Sequence, residues 1–181
     1  KLEDDFAVYM KFIMIDSASR ELDALAKSLG RKQLQILNLS TDGAQGRMNA
    51  KPRPDFYRKF VPGNYDTTKL NKDGAGRDRL TGKIKFYDDA AEGNYNDVVF
   101  RGMISSLFAD GGDWSAHKDK SVDIMILAGL SGGNGSGTFE ELAAHARYAC
   151  EQQGVSTRVF GYLFLPDTVE EFEKSDPTAQ K

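Results

Sequence analysis

The sequence is poor in the residues that form disulfides and metal sites, and it has no long apolar run. It contains one cysteine, Cys150, and two histidines in 181 residues. A lone cysteine excludes an internal disulfide, and so few ligands argue against a structural zinc site. A membrane-spanning helix needs about 18 consecutive apolar residues. No run reaches that length, so we expect no membrane contact and favour a cytoplasmic protein.

An excess of charge of one sign is missing as well. The formal net charge is −3, which provides no general reason to expect a nucleic acid or an anionic membrane as the partner. Hydrophobic residues make up 40% of the chain and charged residues 28%, a balance that is typical of a globular domain. A chain of this length can bury a sizeable core, so we expect one domain over residues 1–181.

What is present is an alternation of apolar runs with amphipathic segments. The patterns predict strands over residues 6–15, 33–39, 122–130 and 158–165, and helices over residues 19–29 and 98–108. Strands separated by helices predict a parallel sheet with right-handed crossovers. Ligands of such sheets bind beyond the carboxyl ends of the strands. We therefore expect three turns on one rim: Asp16-Ser17, residues 131–137 and Pro166-Asp167.

Residues 41–73 interrupt this alternation. Glycine, asparagine and charged residues are frequent there, together with the prolines Pro52, Pro54 and Pro62. A connection of that length without regular structure is unusual in a compact domain. We interpret the segment as a solvated loop or insertion.

The turn at residues 131–137 is the most informative motif. It holds four glycines in seven residues, between a predicted strand and an amphipathic helix. Thr138 and Glu141 have the spacing of a capping box at the start of that helix. Glycines allow the backbone to approach a ligand, and a helix N-terminus offers unpaired N–H groups and a positive dipole. The motif predicts a phosphate-binding turn.

Two common phosphate motifs do not fit the chain. A Walker A loop requires GxxxxGK followed by serine or threonine. The nearest segment, residues 76–84, has one residue too many and ends in Ile84 where the hydroxyl belongs. The dinucleotide motif GxGxxG also fails, because Thr138 stands at the place of its third glycine.

A hydrolase motif overlaps the same turn. Residues 129–133 fit G-x-S-x-G, which would make Ser131 an esterase-type nucleophile. In α/β-hydrolases the acid and the histidine follow the serine in the chain, and the one histidine after Ser131 is His145. Two turns into the predicted helix, it would lie about 10 Å along the axis from the turn, too far to activate Ser131. An α/β-hydrolase is therefore a remote alternative.

Four segments, taken in order, resemble the tubulin/FtsZ family of GTPases. Residues 131–137 are similar to its glycine-rich signature, with Asn134 where threonine is usual. Asp16-Ser17 resembles the end of its second strand, and Gly74-Ala75-Gly76 resembles its loop at the terminal phosphate. Residues 164–167 look like its ribose loop, in the form found in the divergent bacterial tubulin-like group.

The resemblance implies a fold and a ligand. The fold is α/β, a three-layer Rossmann-like parallel sheet with helices on both faces. The ligand is GTP or GDP, with Mg²⁺ held mainly through the phosphates. We assign no metal ligand to this chain. The implied nucleotide-binding residues are Gly132, Gly133, Asn134, Gly135, Ser136 and Gly137 at the inner phosphates, Gly74, Ala75, Gly76 and Arg77 at the terminal phosphate, and Asp16, Ser17 and Asp167 beside phosphate or ribose.

Some of these residues have a second interpretation. Asp16 equally fits the cap of the following helix, and Asp167 fits a turn residue after Pro166. Gly74-Ala75-Gly76 also fits an ordinary loop, and Arg77 a solvent-exposed side chain. Asn134 exchanges a hydroxyl for an amide that can still donate a hydrogen bond to phosphate.

The resemblance also implies how hydrolysis would occur. In this family a neighbouring subunit of a head-to-tail filament completes the site, so we assign no catalytic residue to this chain and expect the segment alone to be inactive. The family's first strand and its glycine-rich turn would precede residue 6, and its central helix and acidic loop would follow residue 181, so we expect a domain incomplete at both ends. By family topology that first strand lies between the strands at residues 6–15 and 122–130. The alternative is a non-hydrolysing nucleotide-binding or structural interaction domain of the same fold.

Overall fold

The computed structural model describes residues 11–29, 34–39, 43–91, 99–109 and 121–165. Its strands are β1 (Phe12–Asp16), β2 (Leu34–Asn38), β3 (Ser121–Gly129) and β4 (Ser156–Phe164). Its α-helices are α1 (Ser19–Leu29), α2 (Ala44–Asn49), α3 (Asp55–Phe60), α4 (Arg79–Ala91), α5 (Arg101–Ala109) and α6 (Gly133–Gln152), with a 3₁₀ helix at Thr67–Asn71. The predicted helix over residues 19–29 is confirmed, and each predicted strand overlaps an observed one.

All four described strands are paired in parallel. β1 pairs with β2 from Phe12↔Leu34 to Asp16↔Asn38, and β3 pairs with β4 from Ser121↔Ser156 to Gly129↔Phe164. The α1 and α6 helices connect the strands within these pairs. The mixed α/β class with parallel strands agrees with the sequence. Within the described residues the two pairs do not hydrogen-bond to each other, so a continuous three-layer sheet stays a prediction.

The main hydrophobic core lies between the strand pairs and helices α4, α5 and α6. Phe86 of α4 and Ile104 of α5 are buried members of this core. Ile13 and Ile15 of β1 and Ile124 of β3 are partly buried and pack against it. Helix α1 contacts both β1 and β2.

Helix α6 begins earlier than its sequence pattern suggests. It begins at Gly133, so that Thr138 lies inside the helix and donates its hydroxyl proton to the Asn134 carbonyl at 2.8 Å. The predicted capping box at Thr138 is therefore wrong. Intrinsic helix propensity disfavours glycine, but close packing of this end of α6 against α4 outweighs that preference.

The segment interpreted as a loop or insertion has regular structure from residue 43 onward. It contains α2, α3 and the 3₁₀ helix, and it has its own core, in which Tyr57, Val61 and Leu70 pack with Ile84 of α4. Pro52 and Pro54 separate the two helices, each of six residues. Helices that short show no clear hydrophobic period, which explains why the sequence pattern did not reveal them.

A buried polar cluster fastens this segment to α4. Asp88 is fully buried and accepts hydrogen bonds from Arg47 Nε at 2.5 Å and from the Tyr57 hydroxyl at 3.0 Å. Burial, and then the Asp88 carboxylate, raise the pKa of Tyr57 well above its usual range. A buried carboxylate requires such partners, since its desolvation is costly without them.

We expect Arg47→Met to lower the free energy of unfolding by about 3 kcal/mol, because it leaves the Asp88 carboxylate buried without its cation. The measurement is urea denaturation followed by circular dichroism. Arg58→Met is the matched control: Arg58 forms an exposed pair with Asp55, and its loss should cost below about 0.5 kcal/mol. Equal effects of the two substitutions would contradict a structural role for the buried cluster.

Candidate functional site

The carboxyl end of β1 supplies the first part of the site. Asp16 Oδ1 accepts hydrogen bonds from the N–H groups of Ser17 at 2.6 Å and Ala18 at 3.0 Å, so this carboxylate organises the start of α1. Ser17 is only 4% exposed. Its hydroxyl has no hydrogen-bond partner in the described part of the chain, which is unusual for a buried polar group.

The loop at residues 72–78 supplies the second part. Gly74 and Gly76 have φ values of +80° and +56°, which glycine adopts without strain. The Gly74 N–H donates to the Ser17 carbonyl at 2.8 Å, and the Ser19 N–H and hydroxyl donate to Asp73 at 2.9 and 3.1 Å. The loop is therefore tied to the end of β1, although it follows the 3₁₀ helix and no strand; its place beside Asp16 and Ser17 was implied by the family resemblance alone.

Lys85 supports the loop from inside the protein. This side chain of α4 is 3% exposed, and its Nζ donates to the carbonyls of Lys72 at 2.7 Å and Gly74 at 3.0 Å. Burial lowers the pKa of Lys85. Sequence reasoning missed both Lys85 and α4; the available signal was a lysine between the apolar residues Ile84 and Phe86.

The N-terminus of α6 supplies the third part. The Gly133 N–H donates to the Gly76 carbonyl at 2.6 Å, and Asn134 Nδ2 donates to the Ile15 carbonyl at 3.1 Å. The first helical N–H groups have no acceptor within the helix, so those of Asn134 and Gly135 point outward from its end. The Asn134 side-chain oxygen is buried and has no partner among the described residues.

Most glycines of the turn are required by packing. A Cβ at Gly133 would overlap the Asp78 backbone, one at Gly135 would lie 2.6 Å from the Gly129 carbonyl oxygen, and one at Gly137 would overlap the Arg79 carbonyl. A Cβ at Gly132 would meet nothing within 4 Å. Only Gly132 therefore leaves open space where a ligand can approach the turn. Ser136 uses its hydroxyl within the helix, donating to the Gly132 carbonyl at 2.6 Å.

The structure thus brings together most of the predicted residues. Backbone hydrogen bonds and one side-chain bond join the end of β1, residues 74–76 and the start of α6 into one rim. Ala75 is buried beneath this rim, whereas Arg77 is exposed and lines an outer cleft with Lys69 and Asp78. Pro166 and Asp167 lie outside the described residues.

The hydrolase arrangement has no support in this geometry. From Gly133, where α6 begins, to His145 the helix rises about 18 Å. The His145 ring packs edge-on against Phe86 with ring centroids 5.4 Å apart, and burial lowers its pKa. His145 therefore belongs to a packed helical interface and is too distant to activate Ser131.

Two kinds of feature are absent from the described ranges. No cluster of three or more His, Cys, Asp or Glu side chains is suited to holding a metal ion there. No helix in those ranges combines the length and the apolar character needed to cross a membrane.

A family model described as tubulin-like matches residues 4–181. The chain belongs to the tubulin-like family. No curated protein and no solved structure matches it. Membership agrees with the parallel strand pairs of this tubulin-like domain.

We expect Gly133→Ala to lower the free energy of unfolding by about 2 kcal/mol, because the added methyl overlaps the Asp78 backbone and forces α4 and α6 apart. Gly132→Ala, whose methyl enters open space, should change it by less than about 0.5 kcal/mol. Thermal and urea denaturation of both variants provide the measurement. Similar stabilities would show that packing does not select the glycine at position 133.

Proposed function

We propose that this tubulin-like domain binds GTP or GDP at the rim formed by β1, residues 72–78 and α6, and that it is the nucleotide-binding part of a GTPase. Family membership supports the proposal at the level of the fold. The polar groups at the rim support it at the level of the ligand.

The observation that carries the proposal is a pair of buried polar atoms without partners. Ser17 Oγ and Asn134 Oδ1 both lack hydrogen bonds in the described residues, and both residues belong to the rim that surrounds the N-terminus of a 20-residue helix. A buried polar group without a partner costs about 1–3 kcal/mol. A bound ligand would satisfy both atoms and offset that cost.

The chemistry of these groups fits a nucleotide. The N–H groups of Asn134 and Gly135, with the dipole of α6, favour phosphate oxygens. The Ser17 hydroxyl would donate to phosphate. Asn134 Oδ1 accepts hydrogen bonds only, so its partner would be a ribose hydroxyl or a water on Mg²⁺. The Mg²⁺ would be held through phosphate oxygens and water and would neutralise phosphate charge.

Hydrolysis would require a group from outside the described residues. Asp16 and Asp73 organise the start of α1, and Asp78 accepts hydrogen bonds from the Leu80 and Thr81 N–H groups at the start of α4. Because these carboxylates are engaged, we propose that a neighbouring subunit in a head-to-tail filament supplies the water-activating group. The same observation favours, as the second candidate, a domain that binds nucleotide without hydrolysing it.

In the full-length protein, we expect Gly132→Val to abolish GTP binding, because its side chain begins in the open space at the helix N-terminus, where a Cβ meets no protein atom within 4 Å. Ser17→Ala should weaken GTP binding about tenfold, the effect of one hydrogen bond to a charged group. Its stability should hold or rise, since the lost hydroxyl has no partner. Titration calorimetry measures affinity and urea denaturation measures stability.

Ser105→Ala is the control for these variants, because its hydroxyl, on α5, donates at 2.7 Å to Gln153 at the C-terminal end of α6, the end opposite the rim. This variant should bind GTP as the parent protein does. Unchanged GTP affinity in a folded Gly132→Val protein would contradict the proposed phosphate position.

For catalysis, we expect the GTPase rate per molecule of the full-length protein to rise with protein concentration, because positioning of the attacking water is completed across a subunit contact. Phosphate release measured from dilute to concentrated solution tests this expectation. A constant nonzero rate per molecule would contradict the shared site. Binding with no turnover at any concentration would favour the non-hydrolysing domain.

A further inference from the structure

A surface groove runs between α3, α4 and α6 and borders the rim described above at Arg77 and Asp78. It consists of two adjoining cavities of about 290 and 550 Å³, which share Phe60 and Lys83. We call it the α3–α4 groove. One half is lined mainly by aromatic rings and the other mainly by basic side chains, so the groove is apolar at one end and positively charged at the other.

The aromatic half is built on a rigid base. Phe56 of α3 stacks on Tyr87 of α4 with centroids 3.9 Å apart, and Phe86 meets the His145 ring edge-on. Phe60 lies at the edge of this half and is 56% exposed. An exposed phenylalanine beside a cavity walled by packed rings is suited to receive one large apolar side chain.

The basic half has the opposite character. Lys69, Arg77, Arg79 and Lys83 line it, with Asp78 as its one lining carboxylate. Lys69 pairs with Asp78 at 2.7 Å, and Lys83 pairs with Glu141 at 2.7 Å at the border with the aromatic half. Four basic side chains line this half against the two carboxylates of Asp78 and Glu141, in a chain whose formal net charge is −3. A negatively charged partner is complementary to this half.

We propose that the α3–α4 groove is a docking site for an acidic peptide segment of a partner protein that carries an aromatic side chain. The aromatic side chain enters beside Phe60, and the carboxylates lie along Lys69 and Arg79. A peptide fits better than a compact ligand because the two halves differ in chemistry and lie end to end.

The proposal does not depend on nucleotide binding. Its aromatic half is built from α3, α4 and α6 side chains that have no role at the rim, and neither Phe60 nor Arg79 is among the predicted nucleotide-binding residues. Arg77 lines the basic half and also belongs to the loop of the rim, so the variants that test peptide binding are made at Phe60 and Arg79.

The test uses fluorescence anisotropy of a labelled peptide, Gly-Glu-Glu-Phe-Glu-Glu-Gly, added to the full-length protein. We expect saturable binding that weakens as salt is added, because exposed charges are screened. A peptide with serine in place of phenylalanine, and one with lysine in place of glutamate, should each bind at least about tenfold more weakly, as expected for the loss of an anchor or of charge complementarity.

Two variants locate the site. Phe60→Ala and Arg79→Glu should each reduce peptide affinity about tenfold or more while GTP affinity in Phe60→Ala stays unchanged. The matched controls are Phe12→Ala, which removes a ring that is 49% exposed at the start of β1, and Lys51→Glu, which reverses an exposed charge. Both controls should bind the peptide as the parent protein does.

Several results would overturn the proposal. One is absence of peptide binding, and another is equal binding of the serine peptide. A third is binding of inorganic triphosphate that depends on Arg79 but not on Phe60, which would make the basic half an anion site. A fourth is self-association abolished by Phe60→Ala in a protein that does not bind the peptide, which would assign the groove to a second copy of the chain.

Discussion

The close backbone contact between α4 and α6 is the constraint on which the site depends. A Cβ at Gly82 would overlap the Gly133 carbonyl, and one at Gly137 would overlap the Arg79 carbonyl. The two helices therefore meet without intervening side chains at this end. Because α4 begins directly after the loop at residues 72–78, the same contact holds that loop against the start of α6. The glycines thus act through helix packing as much as through ligand access.

The polar groups around this contact fall into two classes. Most are engaged in holding backbone: Asp16 and Asp73 at α1, Asp78 at α4, and Lys85 beneath the loop. Their hydrogen bonds make the rim rigid before any ligand arrives, which lowers the entropy lost on binding. A smaller class is buried without partners. Asp88 Oδ2, in the cluster that fastens α2 and α3 to α4, is buried without a partner as well, so what points to a ligand at the rim is the combination of unsatisfied groups with a helix N-terminus and open space.

The sequence predicted what periodicity and strand order encode. Helix α1, the four strands and the proximity of Asp16 to Asn134 followed from apolar patterns and from the rule that parallel strands end at one edge, whereas the place of Gly74 beside them was implied by the family resemblance. Helix α4 was missed because Gly82 and the buried polar residues Lys85 and Asp88 interrupt its apolar face. The role of Gly133 was missed because the neighbour that excludes a side chain, Asp78, is distant in sequence. Such contacts are set by tertiary packing, which a single sequence does not display.

The hydrogen bond from Asn134 to the Ile15 carbonyl bears on the order of folding. It joins residues that are 119 positions apart, and no local segment can form it alone. Contacts of such long sequence separation require the entropy of loop closure to be lost before they stabilise the chain. The helices and the α1 and α6 crossovers consist of much shorter contacts. The rim should therefore be among the last parts of the domain to fold. A correctly formed rim then indicates that the whole domain has folded.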